Sequence, residues 1–225
     1  MGEAGLRLAL FDCDGTLVDS QHTVIASMTA AFAALGRPAP EPERVRRVVG
    51  LRLDLAIATL AGELDAAALD AAVDAYIASF QTLHRDPDHA EPLYDGIGAV
   101  LDTLEADGWL LGVATGKSFS GLCSALDRHG LRQRFATLQT ADRAASKPAP
   151  EMVLRALDET GVDRERVVVI GDTGFDIGMA VNAGVASIGV GWGYHPLDEL
   201  VAAGATRTAA RCAELPALLD ALVPA

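Results

Sequence analysis

Two aspartates, Asp12 and Asp14, flank a single cysteine in the segment DCDGT, directly after the apolar run LRLALF. Two carboxylates this close together cost free energy because like charges repel. Turn-capping carboxylates on a solvated edge would be one explanation of the pair, and a pair that acts in chemistry is the other. The residues that follow other apolar runs distinguish between these explanations.

Chemically capable side chains follow three further apolar runs or lie shortly after them. Thr115 ends WLLGVAT and is followed by Gly116 and Lys117, Lys147 lies in SKPAP, and Asp172 and Asp176 belong to GDTGFD. In an open α/β sheet, ligands bind outside the carboxyl ends of the strands, so these side chains are expected to converge there. Each feature is weak evidence alone, but their joint position at strand ends indicates one site.

The converging carboxylates predict an oxygen-only metal site. Asp12 and Asp172 have no histidine or cysteine at ligand spacing, and hard cations such as Mg²⁺ prefer oxygen ligands. Asp176 is a further ligand or a supporting residue, unless it is only an acidic residue interacting with a helix N-terminus. Glycines such as Gly15 and Gly116 allow backbone N–H groups to approach an anion closely. The pattern therefore predicts a divalent metal ion beside a phosphoryl group.

The elements that must position this site alternate between apolar strands and amphipathic helices. That alternation predicts an α/β fold with a Rossmann-like parallel sheet covered by helices on both faces. The predicted strands are Leu6–Phe11, Trp109–Thr115, Val167–Gly171, Ala186–Val190 and a weaker one at Phe135–Thr140. The predicted helices are Ile97–Ala106, Phe119–His129, Glu151–Thr160 and Phe175–Ala183, with glycines at their C-terminal ends.

One alanine-rich segment, from about residue 18 to residue 89, is helical throughout and is too long for an ordinary connection between strands. It predicts an α-helical cap domain, residues 17–92, inserted into a discontinuous core domain of residues 1–16 and 93–225. Turns are expected near Gly36 and Gly62.

Composition limits the partners. Eighteen Lys and Arg residues against 31 Asp and Glu residues give a formal net charge of −13, which disfavours nucleic acid and anionic membranes as partners. The three cysteines, Cys13, Cys123 and Cys212, lack metal-ligand spacing and fit reduced thiols. We therefore expect a cytoplasmic protein.

The ordered motifs DCDGTLVDS, VATGKS, SKPAP and GDTGFD resemble those of the haloacid dehalogenase-like superfamily. The resemblance is strongest to the subgroup with a helical cap, which includes phosphoglycolate phosphatases and β-phosphoglucomutases. It implies Asp12 as the nucleophile that forms an aspartyl-phosphate, and Asp14 as the general acid and base. Thr115 and Lys147 would contact the phosphoryl group, and Asp12, the Asp14 backbone carbonyl and Asp172 would hold Mg²⁺, supported by Asp176.

This resemblance predicts a Mg²⁺-dependent phosphatase whose partner is a small phosphorylated metabolite, a phosphoglycolate-like monoester. We also expect a monomer or a homodimer. Asp14 favours phosphate esters over halides, because a halide leaves without a proton. A β-phosphoglucomutase-like phosphotransferase and a non-catalytic Mg²⁺-binding interaction module remain the alternatives. The predicted substrate-binding residues are Gly15, Thr16, Gly116 and Arg52.

Four side chains near these motifs have an alternative or a purely structural interpretation. Arg52 either grips a substrate carboxylate or second phosphate, or shares a solvated face with Arg46 and Arg47. Lys117 and Ser118 are expected to be solvated, and Cys13 to be a small buried residue.

Overall fold

The computed structural model describes residues 5–86, 89 and 91–225. The predicted domain ranges 1–16 and 17–92 also include residues 1–4, 87, 88 and 90, which lie outside the described residues. Within the described part, six parallel strands form one sheet in the order β3-β2-β1-β4-β5-β6. The strands are β1 (Arg7–Phe11), β2 (Trp109–Thr115), β3 (Phe135–Thr140), β4 (Val167–Gly171), β5 (Ala186–Val190) and β6 (Arg207–Ala209).

The same described ranges contain ten α-helices. They are α1 (Gln21–Ala34), α2 (Pro42–Arg46), α3 (Leu53–Ala61), α4 (Ala66–Arg85), α5 (Ile97–Ala106), α6 (Phe119–Arg128), α7 (Glu151–Thr160), α8 (Gly174–Ala183), α9 (Leu197–Ala202) and α10 (Leu215–Leu222). None of these helices is both long and apolar enough to cross a membrane.

The sheet is buried on both faces because alternate residues of each strand point to opposite sides. Leu8 and Leu10 of β1 pack in one cluster with residues of α7 and α8. Ala9 and Phe11 of the same strand pack in another cluster with residues of α5, α6 and α10. The predicted Rossmann-like sheet, covered by helices on both faces, is confirmed.

Helices α1 to α4 follow β1 and have a hydrophobic core of their own. It includes Met28 and Phe32 of α1, Ile57 and Leu60 of α3, and Ala72 of α4. Gly36 and Gly62 adopt positive φ values of 65° and 78° at the predicted turns. The helical character of this segment is therefore as predicted, while its division from the core as a cap domain stays a prediction.

The C-terminal part of the sheet was not predicted. Strand β6 has only three residues, and its sequence, Arg207-Thr208-Ala209, contains no apolar run to mark it. It pairs with β5, where Gly189 aligns with Thr208. The five predicted strands, including the weak one at Phe135–Thr140, are present.

Strand order positions the site. β1 lies between β2 and β4, and the chain order reverses at this point of the sheet, which is where open α/β sheets form a ligand-binding crevice. Phe11, the last residue of β1, pairs with Val113 of β2 and Ile170 of β4. The residues that follow these three strands therefore meet at one edge.

Candidate active site

The loop after β1 holds Asp12 and Asp14 in a tight turn. The Asp12 N–H donates to the Ile170 carbonyl at 2.8 Å, and the Cys13 carbonyl accepts from the N–H groups of Leu17 and Val18 at 2.9 Å each. Asp12 and Asp14 retain only 2% and 7% exposure. Cys13 is fully buried, as expected of a small core residue.

Gly15 is required in this turn for two reasons. Its φ is +85°, a conformation that residues with a Cβ rarely adopt, and a Cβ there would lie 2.2 Å from Asp172 Oδ2. The glycine therefore allows the DCDGT turn to approach the end of β4 closely enough to bring Asp12 and Asp172 into one site.

Lys147 joins two of the buried carboxylates. Its Nζ lies 2.9 Å from Asp12 Oδ1 and 2.5 Å from Asp176 Oδ1, and the side chain is fully buried. Burial by itself would lower the pKa of Lys147, but the two carboxylates reverse this and hold the pKa above its usual range. The ammonium group therefore stays charged.

Asp172 and Asp176 are fixed by hydrogen bonds from nearby donors. Asp172 Oδ1 accepts from the Thr16 hydroxyl and Oδ2 from the Tyr194 N–H, both at 2.8 Å. Asp176 Oδ2 accepts from the Thr173 hydroxyl at 2.7 Å and N–H at 3.0 Å, forming the capping box that begins α8. The Thr16 hydroxyl, predicted to bind substrate, thus donates to a carboxylate.

These groups carry more negative than positive charge. Oxygens of Asp12, Asp172 and Asp176 lie within 4.8 Å of one another, while Lys147 contributes the single ammonium group that pairs with this cluster among the described residues. Burial raises the pKa of Asp12 to about 7, against the attraction of Lys147. Burial likewise raises the pKa of Asp172 well above its usual range.

A divalent cation would relieve this imbalance. Asp12 Oδ2 is buried and has no hydrogen-bond partner among the described residues, an arrangement that is costly unless another group binds the oxygen. Carboxylate oxygens are the ligands that Mg²⁺ prefers. The residues present therefore fit a magnesium ion bound by Asp12 and Asp172. Asp12 has its unpartnered Oδ2 to offer, and Asp172 has no cationic partner among the described residues. Asp176, by contrast, is bound by Lys147 at Oδ1 and by Thr173 at Oδ2.

The end of β2 adds a hydroxyl and a second lysine. Thr115 is buried, and its hydroxyl oxygen accepts from the Lys117 N–H at 3.3 Å, which leaves the hydroxyl proton to donate elsewhere. A Cβ on Gly116 would lie 2.5 Å from the Leu51 carbonyl and 2.7 Å from that of Gly50. Gly116 therefore permits the loop between α2 and α3 to rest on the strand end.

The expectation of a solvated Lys117 is wrong. Its side chain is 9% exposed, and Nζ lies 2.9 Å from Asp14 Oδ1 and 4.7 Å from the centre of the Phe80 ring of α4. Burial by itself would lower the pKa of Lys117, but the facing Asp14 carboxylate holds it above its usual range. Ser118 is exposed, as expected, and caps α6 through Gly121 N.

Ser20 and Tyr194 also belong to the site, although the sequence analysis predicted no role for either. The Ser20 hydroxyl donates a short hydrogen bond to Asp14 Oδ1 and lies 3.4 Å from the Tyr194 hydroxyl. Ser20 is the last residue of DCDGTLVDS and follows Asp14 by six residues. This position within the motif was the sequence feature that could have identified Ser20 as a member of the site. Together with Lys117 it fixes the orientation of the Asp14 carboxylate.

The arginines of the α2–α3 region have carboxylate partners. Arg52 binds both oxygens of Asp54 at 2.6 and 2.7 Å, and its backbone N–H donates to Ser146 Oγ at 2.9 Å. Arg47 binds both oxygens of Glu199 in α9 at 2.7 and 2.9 Å. Arg52 also lines a cavity of about 760 Å³ that reaches Asp14 and Lys117. A substrate contact for Arg52 stays a prediction.

Comparisons of the sequence find related proteins over most of the chain. The family model described as "Haloacid dehalogenase-like hydrolase" matches residues 9–190. The phosphoglycolate phosphatase of Xanthomonas campestris pv. campestris is 35% identical over 196 residues, covering 86% of each chain. The N-acetylmuramic acid 6-phosphate phosphatase of Pseudomonas aeruginosa is 34% identical over 200 residues, again covering 86% of each chain.

A solved structure shares the fold. The crystal structure of a hydrolase from Pseudomonas syringae superposes with a TM-score of 0.85 at 24% identity and covers 96% of this chain and 98% of its own. The family model spans most of the chain, and its match begins within the strand that leads into Asp12. The chain belongs to the haloacid dehalogenase-like hydrolases.

Proposed function

We propose that the chain is a Mg²⁺-dependent phosphatase that hydrolyses a small organic phosphate monoester through an aspartyl-phosphate on Asp12. The observation that carries this proposal is the buried Asp12 carboxylate, which has an unpartnered Oδ2 and lies beside Lys147 and Asp172. Phosphoglycolate, named for one relative, is the first substrate to assay.

The metal site would use the side chains of Asp12 and Asp172 and the backbone carbonyl of Asp14, with Asp176 holding Lys147 in place. A Mg²⁺ ion bound there would neutralise charge on the phosphoryl oxygens and on Asp12. Lys147 adds a fixed positive charge 2.9 Å from Asp12 Oδ1. The Thr115 hydroxyl, whose oxygen already accepts one hydrogen bond, donates to a phosphoryl oxygen.

The reaction then proceeds in two steps. In the first, an oxygen of Asp12 bonds to phosphorus while the bond from phosphorus to the alcohol oxygen breaks, and the departing alkoxide takes a proton from Asp14. Asp14 must take up that proton from solvent before this step, because its carboxylate is otherwise paired with Lys117. In the second, water bonds to phosphorus and gives its proton to Asp14 while the bond to Asp12 breaks. Inorganic phosphate leaves, and both aspartates return to their starting states.

Gly15 and Gly116 bring backbone close to this site, and we propose them as neighbours of the bound phosphoryl group. Helices α1 to α4 would act as the cap that covers the substrate. The pairs Arg47–Glu199 and Arg52–Ser146 support this, because they join that segment to the sheet-bearing part of the chain. A cytoplasmic location and a monomeric or homodimeric state stay predictions from the sequence.

Phosphate release is the direct test. The purified chain is incubated with a panel of phosphate monoesters, with Mg²⁺ or with EDTA, and inorganic phosphate is measured. We expect release that requires Mg²⁺ and is absent from Asp12→Asn. Transfer of phosphate to a second sugar without release would support the phosphotransferase instead. No release and no transfer from any ester would overturn the proposed function.

A further inference from the structure

The cavity beside Asp14 extends into the interior of the α1–α4 segment. Its volume is about 760 Å³, and its walls include Asp14 and Lys117 at one end and Met28 and Val48 of the α1–α4 hydrophobic core at another. A two-carbon ester such as phosphoglycolate would leave most of the cavity unfilled.

The wall next to Lys117 is built from the apolar face of α4. Tyr76, Phe80 and His84 form a row in which ring centroids are 6.3 and 5.7 Å apart and the planes differ by 13° and 15°. Ile77 of the same helix also lines the cavity and is 41% exposed. Exposed apolar side chains around a cavity of this size are typical of sites that bind an apolar ligand.

Several charged side chains that line the cavity already form ion pairs with one another. Besides His84, the cavity is lined by three aspartates, two arginines and one lysine: Asp14, Asp54, Asp142, Arg52, Arg85 and Lys117. Arg52 is held by Asp54 and Lys117 by Asp14. A substrate carboxylate near Asp14 would therefore compete with an existing ion pair, whereas an apolar group would not.

We propose that the preferred substrate is the phosphate monoester of a bulky, largely apolar alcohol that carries a ring, not that of glycolate. The inference rests on the proposed function, because the phosphoryl group must occupy the Asp12 site for the alcohol to enter this cavity. Ile77, Tyr76 and Phe80 would then determine specificity by contact with the alcohol.

Binding of two non-hydrolysable phosphonates tests this without requiring turnover. 3-Phenylpropylphosphonate replaces the ester of 2-phenylethanol, and 3-phosphonopropionate replaces phosphoglycolate. Each is titrated calorimetrically into the full chain with Mg²⁺. We expect the phenyl compound to bind at least about ten-fold tighter, which corresponds to about 1.4 kcal/mol. Equal affinities, or tighter binding of 3-phosphonopropionate, would overturn the inference.

A matched pair of variants tests whether the cavity wall causes the preference for 3-phenylpropylphosphonate over 3-phosphonopropionate. Ile77→Lys places a cation on the cavity wall, and Val181→Lys places the same cation at a 52% exposed position on α8, outside the cavity. We expect Ile77→Lys to reduce or reverse the preference, and Val181→Lys to leave it unchanged. An equal effect of both lysines would attribute the change to net charge and contradict the assignment of the cavity.

Kinetics with esters of similar leaving groups separate this inference from the proposed function. Ethyl, 2-cyclohexylethyl and 2-phenylethyl phosphate all release primary alcohols, so differences in kcat/KM report the alcohol site. We expect kcat/KM to rise from the ethyl to the ring-bearing esters. Equal release from all three, together with faster release from phosphoglycolate, would overturn the inference while leaving the phosphatase proposal intact.

Discussion

Lys117 Nζ lies 2.9 Å from Asp14 Oδ1, the same distance that separates Lys147 Nζ from Asp12 Oδ1. These are the two lysines of the 225-residue sequence, whose other 16 cationic residues are arginines. Each carboxylate of the DCDGT segment thus has its own ammonium partner. The Lys117 pair also contacts the α4 helix through the Phe80 ring.

Replacing Lys117 by methionine should reduce activity and stability together. Removing one partner of a buried ion pair leaves a desolvated carboxylate, a change that typically costs about 3–5 kcal/mol, with this pair expected near the lower end because it is about 10% exposed. We expect Lys117→Met to lower the urea midpoint and kcat/KM, measured in the same buffer. Lys117→Arg keeps the charge and should retain more of both. A Lys117→Met variant with unchanged kcat/KM would show that the pair has no role in the reaction.

Asparagine substitutions of Asp12 and Asp14 should block different steps of the reaction. With p-nitrophenyl phosphate the alcohol leaves without a proton, so Asp14→Asn should form the phosphorylated enzyme and then hydrolyse it about 10²–10⁴-fold more slowly. We expect a burst of one p-nitrophenol per chain and an intact mass increased by one phosphoryl group. Asp12→Asn should give neither. Full steady-state activity of Asp14→Asn on alkyl phosphates would contradict its role as the acid.

Metal-free protein should become less stable as the pH rises towards neutrality. The pKa of Asp12 is raised by burial from 3.8 to about 7, so between these values the folded state binds more protons than the unfolded state. The contribution of Asp12 to the free energy of unfolding is fully present below pH 3.8 and is lost as the pH rises through about 7. The raised pKa of Asp172 acts in the same direction.

Urea unfolding at pH 5.5 and pH 8.0 in EDTA measures this effect. We expect the wild-type midpoint to fall more between these two pH values than that of Asp12→Asn, which cannot ionise. The exposed Asp198→Asn is the control and should behave like wild type. Mg²⁺ at pH 8.0 should raise the wild-type midpoint, because it binds the ionised folded state. Parallel pH dependence in wild type and Asp12→Asn would contradict the assignment.

The ends of the longer strands could be predicted from the sequence because a local run of apolar residues marks each of these strands. Asp12 and Asp172 each follow a short apolar run, and parallel strands bring such positions to one edge whatever the details of packing. Their proximity, with oxygens within 4.8 Å, follows from that topology. The short strand β6 carries no such pattern and becomes a strand only through pairing with β5.

The environment of Lys117 could not be predicted in the same way. Its burial depends on Tyr76 and Phe80, which lie about 40 residues earlier in the chain and reach it only after α4 packs over the site. A lysine followed by a serine at a helix start is ordinarily solvated, and no local feature marks this one as different. Tertiary contacts determine the burial of Lys117, as they determine the pairing of Arg47 with Glu199.

Gly15→Ala should disrupt the site by contact as well as by backbone strain. Both Gly15 and Gly36 have positive φ values, +85° and +65°, but a Cβ on Gly15 would lie 2.2 Å from Asp172 Oδ2, whereas one on Gly36 would meet nothing within 4 Å. Gly36→Ala therefore measures the backbone cost alone, of the order of 1–3 kcal/mol for such a conformation.

Comparing the two alanine variants isolates the displacement of Asp172. We expect Gly36→Ala to lower the urea midpoint while keeping the Mg²⁺ affinity and kcat of the wild type. Gly15→Ala should lower the midpoint further and also weaken Mg²⁺ binding, measured by calorimetry, because the Asp172 carboxylate must shift from its present position to admit the methyl group. If Gly15→Ala bound Mg²⁺ as tightly as Gly36→Ala, Asp172 would not be a ligand of the metal.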